Sequence, residues 1–195
     1  MPPARPDGDG RSVSEIASRL GRHRDTIQRK LAGNRCADGH GMSAPHRTPT
    51  HGHAGAAGPA LAALPGVHAL TDVTGFGLAG HALELARGAG CTVVLDWPAV
   101  PLLPGVRDLA AGGFVTGASA RNWTGYGRDV SLPADFAAED KALLTDPQTS
   151  GGLLVSCERA ALDAVLGTFR RHGFDAAAVI GEVVSARGAA LQVGG

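Results

Sequence analysis

Cysteine is scarce in this chain. Its 195 residues hold three, Cys36, Cys91 and Cys157, widely spaced and odd in number. No CxxC pair occurs, so neither a cysteine-based structural zinc site nor a disulfide framework is supported. Free thiols suit a reducing compartment, and a cytoplasmic protein is the expectation. An excess of charge of one sign is also missing: 18 Lys and Arg stand against 18 Asp and Glu. The chain as a whole therefore offers no electrostatic argument for nucleic acid or membrane. No apolar run is long enough to span a bilayer, and residues 1–10 lack the apolar centre of a signal peptide. Aromatic residues make up only 4% of the chain, so a core must be built mostly from Ala, Val and Leu.

What the chain does have is a distinctive turn. Thr71-Asp72-Val73-Thr74-Gly75-Phe76-Gly77-Leu78 lies between a short apolar run and an apolar-periodic segment, an order that reads as strand, glycine turn, helix. Glycine permits close backbone approach, and a helix start offers free N–H groups to an anion. A hard cation such as Mg²⁺ takes one or two carboxylates together with phosphate oxygens. Asp72 is then a candidate metal ligand, and Thr71, Thr74 and Gly75 are candidates to lie near phosphate or nucleotide. A capped strand-to-helix turn with no ligand is the competing reading.

The composition divides the chain into four parts. Residues 1–10 are rich in Pro, Gly and Asp, and disorder is expected there. Residues 11–35 carry seven basic residues against two acidic ones, a local charge of +5 hidden by the neutral total. Ile16, Ala17, Leu20, Ile27 and Leu31 can share one apolar face, the layout of a helix-turn-helix. The segment resembles those of insertion-sequence transposases and resolvases. Arg22, Arg24, Thr26, Gln28 and Arg29 are its candidate DNA contacts; a basic, solvated helical hairpin is the alternative. Residues 36–58 form a linker without hydrophobic period, holding His40, His46, His51 and His53. Residues 59–195 have the pattern of a folded domain.

Within that domain the pattern predicts a helix finishing at 60–64, a strand at 67–72, and a helix at 78–89 with Leu78, Ala82, Leu85 and Ala89 on one face. A strand at 92–95 and a short helix at 106–111 follow, across a crossing made irregular by Pro98, Pro101 and Pro104. Residues 117–127 read as a polar, Gly-punctuated loop. A buried strand at 153–157, a helix at 158–172 and strands at 176–184 and 189–193 complete the domain. Helices and strands mix without strict alternation, which favours an α+β layered fold with a mixed sheet. His81 reads as a packing or solvent-edge residue, Cys91 and Cys157 as small core residues. Thr149 and Ser150 suit either phosphate contact or turn hydrogen bonds. Arg121 and Asn122 suit either loop bracing or a domain interface.

Four ordered stretches then agree with one family. Thr71-Asp72-Val73-Thr74-Gly75-Phe76-Gly77-Leu78-Ala79-Gly80-His81 resembles the start of the C-terminal domain of selenophosphate synthetases (selenide, water dikinases). Gly117 with Arg121-Asn122 and Tyr126 resembles a GGTxRN…Y segment of that family. Asp146-Pro147-Gln148-Thr149-Ser150-Gly151-Gly152 is similar to its DPQTSGG signature. Ile180-Gly181-Glu182-Val183 with Ala186-Arg187-Gly188 resembles its closing stretch. The resemblance implies a layered C-terminal domain with a mixed sheet, shared with aminoimidazole ribonucleotide synthetases. It also implies ATP and Mg²⁺ as cofactors, selenide as substrate, and Asp72 as a Mg²⁺ ligand.

The same resemblance implies an N-terminal domain carrying the other Mg²⁺ aspartates, most ATP contacts, and a mobile arm with a reactive Cys or selenocysteine and a Lys. Here the basic segment and the linker stand in that place. Cys36 near Lys30 lacks the arm's spacing, and no catalytic residue is assigned. One carboxylate without its partners implies weak Mg²⁺–ATP binding. Three readings follow: a phosphotransferase needing a partner that supplies the N-terminal domain, a non-catalytic folded domain, or a DNA-binding protein using residues 11–35. A surface left uncovered should carry exposed apolar residues and favour a homodimer or other self-association.

Overall fold

A computed structural model describes residues 54–149 and 151–195. The segments at 1–10 and 11–35, and residues 36–53 of the expected linker, lie outside the described residues; residues 54–58, also expected as linker, are helical instead. Helix α1 (Ala54–Ala62) leads through a turn into strand β1 (Val67–Asp72). The glycine turn opens helix α2 (Gly77–Ala89). Gly90, in a left-handed conformation, ends it and feeds strand β2 (Cys91–Asp96). Helices α3 (Val106–Ala111) and α4 (Gly117–Tyr126) follow, then the two-residue strand β3 (Val130–Ser131) and helix α5 (Ala138–Leu144). Strand β4 (Leu153–Cys157), helix α6 (Leu162–Arg171) and strands β5 (Gly181–Ser185) and β6 (Leu191–Gly194) complete the chain.

The strands form two sheets. In one, β1 and β4 pair antiparallel, with Asp72 opposite Leu153. In the other, the order is β3-β6-β2-β5; β2 runs parallel to β6 and antiparallel to β5, and β3 runs parallel to β6. The α+β class and the mixed sheet expected from the sequence are both present.

Each sheet carries its own core. Ala79, Ala82, Leu83 and Ala86 of α2 pack with Val93, Leu95, Leu191 and Val193 of the four-stranded sheet. Alanine at three of those four helix positions lets the helix lie close to the strands. Leu83, Leu95 and Leu191 are fully buried, and truncating any one to Ala should cost about 2–5 kcal/mol. The second core joins Ala57 and Leu61 of α1 to Val165 and Phe169 of α6, over Leu70, Leu153 and Val155. The β1–α2 turn thus links one core to the other.

Several expectations need correction. The segment 117–127 is mostly helix, because Thr116 caps it by accepting from the Ser119 N–H, and no proline interrupts it. The buried stripe of α2 is rotated from the one expected: Ala89 is exposed and Leu85 only half-buried, while Ala79, Leu83 and Ala86 are inside. Strand β4 is half-buried rather than buried. The helix expected from 158 begins at Leu162, after a short 3₁₀ turn over Arg159–Ala161. The strand expected from 176 begins only at Gly181, since a turn occupies residues 175–176.

Candidate functional site

The fold gathers three of the four sequence stretches around one turn. Residues 73–76 connect β1 to α2. The Val73 N–H donates to the Gly152 carbonyl at 2.9 Å, continuing the β1–β4 pairing into the turn. The Thr74 carbonyl accepts from the N–H of Gly77 and from that of Gln148, each at 3.0 Å. Helix α4 supplies two more ties. The Asn122 side-chain amide donates to the carbonyls of Gly75 (2.9 Å) and Thr145 (3.0 Å). The buried Tyr126 phenol donates to the Phe76 carbonyl at 2.6 Å. Burial pushes the Tyr126 pKa up to about 12, a backbone hydrogen bond at Gly80 offsetting only part of the effect.

The stretch after α5 braces itself and then the turn. The Asp146 carboxylate accepts from the hydroxyls of Thr116 (3.2 Å) and Ser119 (3.4 Å) and from the Gln148 side-chain amide (2.8 Å). These bonds hold the residue pair Asp146 and Gln148 in place so that the Gln148 N–H reaches the Thr74 carbonyl.

Two glycines exist for close packing here. A Cβ on Gly77, which has φ +69°, would lie 2.6 Å from the Thr145 carbonyl carbon. A Cβ on Gly151 would lie 1.9 Å from the Val73 oxygen. Gly75 differs. A Cβ there would meet nothing within 4 Å, so the fold itself does not require glycine at this position. The N–H groups of Gly75 and Phe76 take no backbone partner among the described residues.

Asp72 is the last residue of β1 and is exposed. A single open carboxylate suits one protein ligand of a hard cation whose other ligands are phosphate oxygens and water. Among the described residues no group of three or more His, Cys, Asp or Glu is placed to hold a metal unaided. A Mg²⁺ ion held by Asp72 would therefore need other groups to complete its site. Thr71 is half-buried, its hydroxyl 3.4 Å from the Asp72 carbonyl, and Thr74 is half-buried beside Gly75.

His81 was expected to be a packing or solvent-edge residue, and it is buried. It also makes a chain of contacts that the sequence alone did not reveal: its Nε2 lies 3.1 Å from the Thr74 hydroxyl and its Nδ1 lies 3.0 Å from the Glu84 carboxylate. The His81–Glu84 spacing of i, i+3 was visible beforehand, whereas Thr74 is brought in only by the turn. Asn122, left between two roles by the sequence, braces the turn. Arg121 and Thr149 are exposed. Cys91 and Cys157 are free and half-buried, and burial raises the Cys157 thiol pKa.

The fourth stretch serves the sheet. A Cβ on Gly181 would lie 2.1 Å from the Val94 oxygen, and the Arg187 backbone is tied through N–H and carbonyl to the Thr92 hydroxyl at 2.9 and 3.1 Å. Arg22, Arg24, Thr26, Gln28 and Arg29, together with Lys30, Cys36, Ser150 and the four linker histidines, lie outside the described residues.

Comparison with known proteins agrees with this architecture. The family model for AIR synthase related protein, C-terminal domain, matches residues 30–194. A selenide, water dikinase of Burkholderia pseudomallei (strain K96243) is 64% identical over 127 residues, 65% of this chain and 36% of the relative. One from Rhizobium meliloti (strain 1021) is 50% identical over 130 residues, 67% of this chain and 37% of the relative. The chain thus spans little more than a third of the length of these relatives. A crystal structure of E. coli HypE, a hydrogenase maturation protein, superposes with a TM-score of 0.52 at 24% identity, covering 72% of this chain and 35% of that one; this likeness is one of fold.

Proposed function

Because this chain belongs to the family of AIR synthase related proteins through its C-terminal domain, we propose that it supplies the C-terminal body of a selenide, water dikinase. In this reading the 71–78 turn faces Mg²⁺-bound phosphate, and the chain works with a partner that supplies the N-terminal domain. The observation that carries it is the turn itself: an exposed carboxylate at Asp72, open space at Gly75, and a backbone held from three sides by Gln148, Asn122 and Tyr126. Such bracing fixes the backbone of the turn and its N–H groups before any ligand arrives, which favours electrostatic stabilisation of phosphoryl transfer. Asp72 would hold Mg²⁺, which when bound neutralises charge on the phosphate oxygens. Thr71, Thr74 and Gly75, its neighbours in the chain, would then lie near the phosphate.

A graft tests the proposal. Residues 67–194 replace the matching segment of the Burkholderia pseudomallei relative, and phosphorus NMR follows ATP and selenide under anaerobic conditions. The expected result is selenophosphate and AMP from the chimera. A folded chimera that binds ATP yet forms neither product contradicts the proposal.

A second reading rests on residues 11–35 alone, where the local charge of +5 supports DNA contact through Arg22, Arg24, Thr26, Gln28 and Arg29. Fluorescence anisotropy with duplex DNA tests it: affinity should fall steeply as salt rises, because phosphate contacts release counterions. Weak binding that ignores salt removes this reading.

A further inference from the structure

The Thr74–His81–Glu84 contacts form a directed chain. The buried His81 ring lies between a hydroxyl of the turn and a carboxylate that is 56% exposed. Their directions follow from what each group can do. A carboxylate only accepts, so the neutral ring carries its proton on Nδ1 and donates it to Glu84. Nε2 is then a bare acceptor, and the Thr74 hydroxyl donates to it. With its proton committed inward, the Thr74 oxygen keeps its lone pairs for whatever approaches the turn. A hydroxyl in that state is a ligand for a hard cation. It does not serve as a donor to an anion.

We propose that Glu84 and His81 are positioning residues that hold Thr74 Oγ1 as a lone-pair donor, making Thr74 a second cation ligand beside Asp72. The inference rests on the reading of the turn as a metal–phosphate seat and adds to it a ligand and the pair that orients it. The three residues before α2 and the first eight of the helix contain the whole device. Groups that orient metal ligands in this way commonly change affinity by about 10- to 100-fold when removed.

Two measurements on the full chain, labelled with ¹⁵N and ¹³C, test the proposal. Long-range proton–nitrogen correlation spectra report the His81 tautomer directly, and the expected form has Nδ1 protonated and Nε2 bare. Titration with Mn²⁺ alone should broaden the Asp72 and Thr74 signals together. Glu84→Ala should need about tenfold more Mn²⁺ for the same broadening at Thr74. Thr74→Ser should keep the response, and Thr74→Val should need about tenfold more Mn²⁺ for the same broadening at Asp72. The opposite tautomer overturns the lock, and so does an unchanged Mn²⁺ dependence in Glu84→Ala. A Thr74→Val variant with the Mn²⁺ dependence of the unsubstituted chain overturns the second ligand while leaving the turn a cation seat. Broadening at neither residue overturns the inference, while selenophosphate formation by the graft tests the reading beneath it separately.

Discussion

The phenol of Tyr126 donates to the carbonyl of Phe76 across fifty residues of sequence. Through that bond the end of α4 is fastened to the start of α2, and the glycine turn gains a tie besides those from Gln148 and Asn122. Tyr126→Phe keeps the ring and removes only the hydroxyl, leaving the Phe76 carbonyl without this donor. The expected loss is about 1 kcal/mol in urea unfolding. Asn122→Ala removes two donors at once and should cost about 2 kcal/mol.

The same phenol predicts an alkaline limit. Its folded pKa is raised from 10.0 to about 12, so between those values the unfolded chain gives up this proton before the folded one does. Stability attributable to Tyr126 is complete below pH 10 and declines as pH rises toward 12. Thermal unfolding followed from pH 9 upward should show that decline, and Tyr126→Phe should flatten it.

Glycines of the turn should separate by role. Gly151→Ala places a methyl 1.9 Å from the Val73 oxygen, which should cost at least about 3 kcal/mol or prevent folding. Gly75→Ala meets nothing within 4 Å and should alter stability by no more than about 0.5 kcal/mol. If Gly75 admits phosphate, this variant should still impair product formation in the grafted enzyme. Equal damage to stability at both positions would argue that Gly75 is another packing glycine.

Phe76 is 55% exposed at the entrance to α2, and Leu103, Val115, Val179 and Val183 are further exposed apolar side chains. A covering partner, or a second copy, would account for Phe76. Phe76→Asp removes no cap, since Phe76 makes no side-chain hydrogen bond at the helix start. Sedimentation velocity at high concentration should show less self-association for Phe76→Asp than for the unsubstituted chain. Identical behaviour would place any contact elsewhere.

Parts of the fold were legible because local signals bounded them. Strand β1 and helix α3 run over the residues expected, the first set off by Pro65-Gly66 before it and the glycine turn after it, the second by Gly105 before it and Gly112 after it. Helix α4 was missed because Gly117, Gly125 and the polar residues between them mimic a loop. The Thr116 cap and the contacts of Asn122 and Tyr126 with the turn decide the matter instead. Long-range partners of this kind leave no periodicity in the sequence. The candidate site was legible in the same measure: Asp72 and Gly75 stand out as residue types in a turn. The braces that hold the turn, and the Thr74–His81 contact, depend on where distant segments meet.

The most direct test of the account concerns Asp72. This carboxylate is exposed and has no side-chain partner among the described residues, so Asp72→Asn should leave unfolding unchanged within about 0.5 kcal/mol. In the grafted selenide, water dikinase the same substitution should lower the rate of selenophosphate formation by about 100-fold or more, read by phosphorus NMR. A folded Asp72→Asn chimera working within a factor of about two of its parent would contradict the assignment of the turn as a metal–phosphate seat.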